Sequence, residues 1–192
     1  MLVDINKKFP NIRKKLMKPF VFNTNPNIIS FIAVFVSAVA GYLFYMDMVV
    51  LASIFVILNA FFDILDGEIA KTFNRTSKLG DFLDHAFDRV ADVFMFMGVA
   101  LNPGIPLWMG SSMVIFILLV SYMGTQFQAI TQRRLYGGIF GRADRSLALF
   151  LFGLGTLFFD KSLYYGTIFI LGLSAFTFLQ RFYISYKEIK KE

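Results

Sequence analysis

Charged residues fall into clusters along the chain, separated by long neutral runs. Nineteen uncharged residues run from Ile28 to Met46, 15 from Met48 to Phe62, 40 from Val93 to Gln132, 14 from Ser146 to Phe159 and 19 from Ser162 to Gln180. A helix needs about 20 mostly apolar residues to cross a bilayer, within a range of roughly 17–25. The longest run is too long for one such helix, and Asn102-Pro103-Gly104 inside it is a turn signal. The pattern predicts six spans, at about 28–46, 48–73, 79–101, 106–132, 144–159 and 162–185. The fifth is short and borrows from the residues before it. Asn23-Thr24-Asn25-Pro26-Asn27 reads as the cap of the first span. Upstream, Ile5, Phe9, Ile12, Leu16 and Phe20 form one helical stripe, with Lys and Arg on the other faces. That suits a helix lying in the membrane interface. A cleaved leader would need a longer apolar core and a small-residue cleavage site. With no internal repeat or linker, one domain is expected over 1–192: an interfacial amphipathic helix at 1–22 and a six-helix bundle at 28–185. The fold class is an all-α, polytopic membrane protein.

Composition agrees. Of 192 residues 57% are hydrophobic and 17% charged, and the mean hydropathy is +0.63. Soluble domains average about a quarter charged, which argues against an ordinary soluble domain, and so much apolar surface rules out a disordered chain. Cysteine is absent and there is one histidine, which excludes thiolate metal sites and cysteine nucleophiles. The net charge is +6. Its basic residues sit in 1–25, in loops near 71–78 and 133–145, and in the C-terminal tail; the alternate turns near Asp47, Asn102 and Asp160 hold only Lys161. By the positive-inside rule both termini and two loops are cytoplasmic, in a multi-pass protein of the cell membrane. The basic groups read as topology and anionic-lipid signals rather than as a nucleic-acid surface. Trp108 and the tyrosines near span ends suit interfacial belts.

Seven of the 13 acidic residues lie between 63 and 92: Asp63, Asp66, Glu68, Asp81, Asp84, Asp88 and Asp92. An ionised carboxylate at mid-membrane costs at least ~2.5 kcal/mol, so the set requires a compensating cation. Lys71, Arg75 and Lys78 fall in the connecting turn, and Arg89 alone lies within the third span. Asp63 and Asp66 share a helix face at i,i+3, as Asp84 and Asp88 do at i,i+4. If the second and third spans are antiparallel neighbours, four carboxylates converge near their cytoplasmic ends. An all-oxygen cluster suits Mg²⁺, Mn²⁺ or Ca²⁺. Asp81 and Asp92 read as outer groups or helix-end charges, Glu68 as reaching the interface, and His85, turned about 100° from Asp84, as a packing residue or an outer group rather than a ligand. Gly67, Ala70 and Gly80 are small enough to admit a ligand; helix packing is the plainer alternative.

These residues resemble a known signature. Asp63-Ile-Leu-Asp66-Gly67-Glu-Ile-Ala70-Lys71, eight residues, then Gly80-Asp-Phe-Leu-Asp84-His-Ala-Phe-Asp88 is similar to the pattern D-x2-D-G-x2-A-R-x8-G-x3-D-x3-D of the CDP-alcohol phosphotransferases. Every spacing is kept, and the one departure is Lys71 in place of Arg, which keeps the charge but loses the planar fork. The resemblance implies a transferase of EC 2.7.8 type that moves a substituted phosphate from a CDP-linked lipid to an alcohol and releases CMP. It implies two divalent ions, Mg²⁺ or Mn²⁺, on Asp63, Asp66, Asp84 and Asp88, with Asp88 also the base on the acceptor hydroxyl. It places the CDP moiety against Asp66, Gly67, Ala70 and Gly80, with Lys71 on the diphosphate, and it implies a homodimer.

The third cytoplasmic segment, Gln132 to Arg145, carries Tyr136-Gly137-Gly138 and then Gly141-Arg142-Ala143-Asp144-Arg145. This block resembles the archaeal archaetidylinositol phosphate synthases of that family, which use CDP-archaeol and inositol 1-phosphate. A phosphorylated polyol acceptor needs cations, and Arg is the preferred bidentate partner; Arg142, Arg145, Arg133 and Arg134 are the candidates. The plainer alternative is that they only set topology or bind lipid head groups. Glycerol 3-phosphate is the rival acceptor. A cation transporter or channel is a more distant reading of the intramembrane acids.

Overall fold

The computed structural model describes residues 17–133, 135 and 137–190, and among them every regular element is helical. Six α-helices follow one another: α1 (Pro26–Tyr45), α2 (Val49–Thr72), α3 (Lys78–Ala100), α4 (Leu107–Thr131), α5 (Arg142–Leu154) and α6 (Ser162–Ile189). Their starts follow the local chemistry. Asn25 caps α1 by accepting the Asn27 N–H at 3.0 Å, with Pro26 at the first helical position. Ser77 caps α3 by accepting the Gly80 N–H at 3.0 Å. Asp144 reaches back to the Gly141 N–H at 2.9 Å at the start of α5. The fifth helix begins two residues ahead of its expected start and ends in a 3-10 turn, Gly155–Leu157.

Packing closes the six helices into a ring. α1 packs on α2 and α3, α3 on α4, α4 on α6, α6 on α5, and α5 back on α2. One end is a dry core in which Phe44, Val56, Met95, Phe96, Met113, Ile117, Leu149 and Ile170 are fully buried. There α1 crosses α3 at Gly41 and Gly98, where a Cβ on either residue would collide with the backbone of the other helix. Asn102 ties the turns at this end together, donating to the Phe44 carbonyl at 2.7 Å and to Asp47 Oδ1 at 2.9 Å.

The other end carries the charge. α2 and α3 are not packed side by side, the condition under which their acids were expected to converge; both lean on α1 instead, and their charged halves line a cleft between them. Four helices, α1, α2, α4 and α6, are long and apolar enough to cross a membrane. The third and fifth of the six expected spans fall short of that measure. Asp81, Asp84, Asp88, Arg89 and Asp92 load α3 with charge, and α5 has only 13 residues. The expected interfacial helix lies outside the described residues except for its end, where Lys18–Phe20 form one 3-10 turn and Phe20 meets Phe61 edge-on.

Candidate active site

The cleft between α2 and α3 has a volume of about 480 Å³. Asp63, Asp66, Gly67, Ala70, Lys71, Gly80, Asp84 and Asp88, all singled out from the sequence, line it together. Pro26, Asn27 and Ser30 of α1 close one wall, so the capping segment also faces the site. Ser30 Oγ donates to Asp66 Oδ2, and Asn59 holds the Ala33 carbonyl at 2.8 Å, which joins α1 to α2 beside the acids. Arg75 lines the mouth and ties the α2–α3 loop to the chain ahead of α1 through the Thr24 carbonyl and Asn23 Oδ1. Glu68 is buried on α2, 3.9 Å from Lys71 Nζ.

The residues fit a hard divalent cation. Asp63, Asp66, Asp84 and Asp88 line a void of about 10 Å³, together with Ser30, Asn59, Arg142 and apolar neighbours, close to what one small atom needs. Asp84, Asp88 and His85 bring ligand atoms within 4.8 Å of one another. His85 therefore lies nearer the acids than its helix position suggested, half-exposed and 3.8 Å from Asp81.

Arg142, the first residue of α5, enters this cluster from the far side. Its Nη1 lies 2.6 Å from Asp88 Oδ1 and 2.8 Å from Asp63 Oδ1, and its Nε 3.4 Å from Asp92 Oδ1. Asp92 is 1% exposed and also holds Arg145 Nη2 at 3.1 Å. Behind Arg142 opens a second cleft of about 280 Å³, walled by His85, Asp88, Arg89, Arg142, Arg145 and Arg181 and by one side of α4. Four guanidinium groups face it with Asp88 as the one carboxylate in its wall. The Nε atoms of Arg89 and Arg145 are buried without a hydrogen-bond partner. Arg181 donates to the Val120 carbonyl at 2.7 Å and the Gly137 carbonyl at 2.9 Å. That geometry needs bare backbone: Gly138 has φ +104°, and a Cβ there would strike Thr177 and Arg181.

Arg142 and Arg145 thus border the second cleft, while Arg133 is exposed at the end of α4 and lines neither; Arg134 lies outside the described residues. Sequence reasoning passed over Arg181. The signal was present, because it ends a 19-residue neutral run inside the sixth predicted span, and an ionisable residue there is a functional candidate by default. The part played by Asp92 was also missed, since spacing alone cannot show that α5 lays two arginines on it.

Two adjoining polar clefts, one acidic and one basic, thus lie at the charged end of the helical ring. The sequence model of the CDP-alcohol phosphatidyltransferases matches residues 23–179, and the chain belongs to that family of membrane transferases. Archaetidylinositol phosphate synthase of Pyrococcus horikoshii is 31% identical over 192 residues, covering 99% of each chain. Phosphatidylinositol phosphate synthase of Cutibacterium acnes is 38% identical over 98 residues, covering 48% of this chain and 47% of its own. The fold is shared with the Mycobacterium tuberculosis phosphatidylinositol phosphate synthase. Its structure with CDP-DAG bound gives a TM-score of 0.78 at 20% identity, covering 91% of this chain and 92% of that one. Its complex with manganese and citrate gives 0.77, at 20% identity and with 91% and 87% covered.

Proposed function

We propose that the chain transfers the phosphatidyl-type group of a CDP-linked lipid, CDP-archaeol, to inositol 1-phosphate and releases CMP. The observation that carries this reading is the meeting of the two clefts at Asp88. A nucleotide-lipid and an anionic alcohol bound on either side would present their reacting atoms to one carboxylate. In this reading Gly67, Ala70 and Gly80 leave room for the cytidine and Lys71 meets the diphosphate. The arginine cleft takes the acceptor phosphate through Arg145 and Arg181, with Arg142 between the sites.

The acceptor hydroxyl oxygen bonds to the lipid-side phosphorus, its proton passes to Asp88, and the phosphorus–oxygen bond to CMP breaks. A positioned carboxylate base is worth about 10²–10⁴-fold. Asp63, Asp66, Asp84 and Asp88 would hold two divalent ions, Mg²⁺ or Mn²⁺, which when bound supply charge neutralisation at the attacking and leaving oxygens. The same proposal has all six helices crossing the membrane, both termini cytoplasmic, and the chain acting as a homodimer. Full-length similarity to the Pyrococcus protein supports the archaeal lipid and the inositol 1-phosphate acceptor.

The test is CMP release by the purified protein with Mg²⁺ and a CDP-lipid of ether or ester type. Inositol 1-phosphate, glycerol 3-phosphate, free inositol and serine are offered in parallel, with Asp88→Asn as control. Release with inositol 1-phosphate alone is expected. Release with glycerol 3-phosphate instead overturns the acceptor. Release with none of the four overturns the reaction.

A further inference from the structure

One wall of the second cleft is not made of arginines. α4 is apolar along most of its length, yet Ser121, Gly124, Thr125 and Gln128 turn one face onto that cleft. Their spacings of three, four and seven residues put them on one side of the helix. Ser121 Oγ donates to the Ile117 carbonyl and Thr125 Oγ1 to the Tyr122 carbonyl. Both hydroxyl protons are therefore engaged by α4's own backbone, and the oxygens are left to accept. Gln128 is half-buried at the same wall and offers both a donor and an acceptor. Across the cleft, Arg145 is 2% exposed and its Nε has no partner. A buried donor in that state points to a polar ligand in the space it faces. At about 280 Å³ the cleft lies at the small end of ligand pockets, which run from about 300 to 1,000 Å³. It suits a polyol phosphate, not a lipid or a nucleotide.

We infer that this face of α4, through Thr125 and Gln128, sets acceptor specificity by hydrogen-bonding the ring hydroxyls of a polyol phosphate whose phosphate lies on the arginines opposite. The inference rests on the acceptor class proposed above. With the phosphate on the arginines and the attacking hydroxyl at Asp88, glycerol 3-phosphate has one hydroxyl left for α4 to read, whereas inositol 1-phosphate has four. The α4 face is thus the element that tells them apart.

The experiment compares the full chain with Thr125→Val, Gln128→Leu and the double variant, measuring kcat and KM for inositol 1-phosphate and glycerol 3-phosphate at saturating CDP-lipid. In the double variant KM for inositol 1-phosphate should rise about tenfold or more, as two lost neutral hydrogen bonds imply, with kcat within about twofold. KM for the CDP-lipid, which reports an intact fold and first cleft, stays unchanged, and Thr125→Ser keeps wild-type KM. An unchanged preference for inositol 1-phosphate in the double variant overturns the role of α4 and leaves the acceptor assignment standing. Preference of the wild type for glycerol 3-phosphate overturns both.

Discussion

The two clefts share a helix, α3, and one carboxylate, Asp88, yet their charge is opposite. Asp81, Asp84 and Asp88 of α3 line the first, and His85, Asp88 and Arg89 line the second. Neighbouring residues on a helix are turned by about 100°, so one stretch of α3 displays acids on one side and Arg89 on the other. Neither cleft is balanced within itself. Arg142 reaches from α5 into the acids, and Asp92 sits beneath both arginines of α5. The difference teaches that the clefts are electrostatically one unit: each would be costly to bury alone, and the ion pairs between them balance both.

The sharpest way to break the comparison is to remove what the clefts share. Asp88→Asn should lower kcat by about 10³-fold or more, since it removes the proposed base together with one of the carboxylates that would hold the ions. A purely structural role would instead raise both KM values and lower the thermal midpoint.

Next in size is the bond beneath the clefts. Asp92→Asn leaves Arg145 buried and uncompensated, and breaking such a pair costs about 3–5 kcal/mol of stability. Adding Arg145→Met should recover part of that loss, because an apolar side chain needs no counter-charge there. Thermal unfolding in detergent reads both, with the exposed Asp160→Asn as reference. A midpoint for Asp92→Asn equal to that reference would show that the guanidinium groups find compensation elsewhere.

Removing a cation that faces only the basic cleft separates the two sites. Arg181→Gln should raise the acceptor KM by about 10–100-fold, the worth of a hydrogen bond to a charged group, with the CDP-lipid KM unchanged. An equal rise in both KM values would mean that Arg181 serves packing through the Val120 and Gly137 carbonyls it holds.

How far the sequence reaches differs between the clefts for a physical reason. The acidic cleft is local. Its acids and small residues, Asp63 to Asp88, lie within 26 positions on two consecutive helices, with spacing fixed by helix geometry; only its α1 wall, Pro26, Asn27 and Ser30, comes from packing. The basic cleft is assembled from α3, α4, α5 and α6, and nothing in a linear pattern says which of these helices will meet. Arg142 and Arg145 were named for their type and their block, but Arg181 lies 36 residues further on and needed the packing of α6 on α4 and α5. The third and fifth spans fall short of the apolar measure for a related reason. Neutral runs report hydrophobicity, and these two helices carry the charges that both clefts use.

The smallest effect concerns the one departure from the family signature. Lys71 borders the acidic cleft with its side chain 65% exposed, 3.9 Å from Glu68. An ammonium meets a diphosphate as a point charge, whereas a guanidinium presents a planar fork that grips two oxygens. Lys71→Arg should therefore lower KM for the CDP-lipid, by no more than about two- to fivefold because an exposed cation is screened by solvent. The acceptor KM should not move, since Lys71 does not line the basic cleft. A rise in the CDP-lipid KM would mean that the longer, flatter head clashes at the mouth that Arg75 already narrows, and that lysine is the fitted residue in this chain.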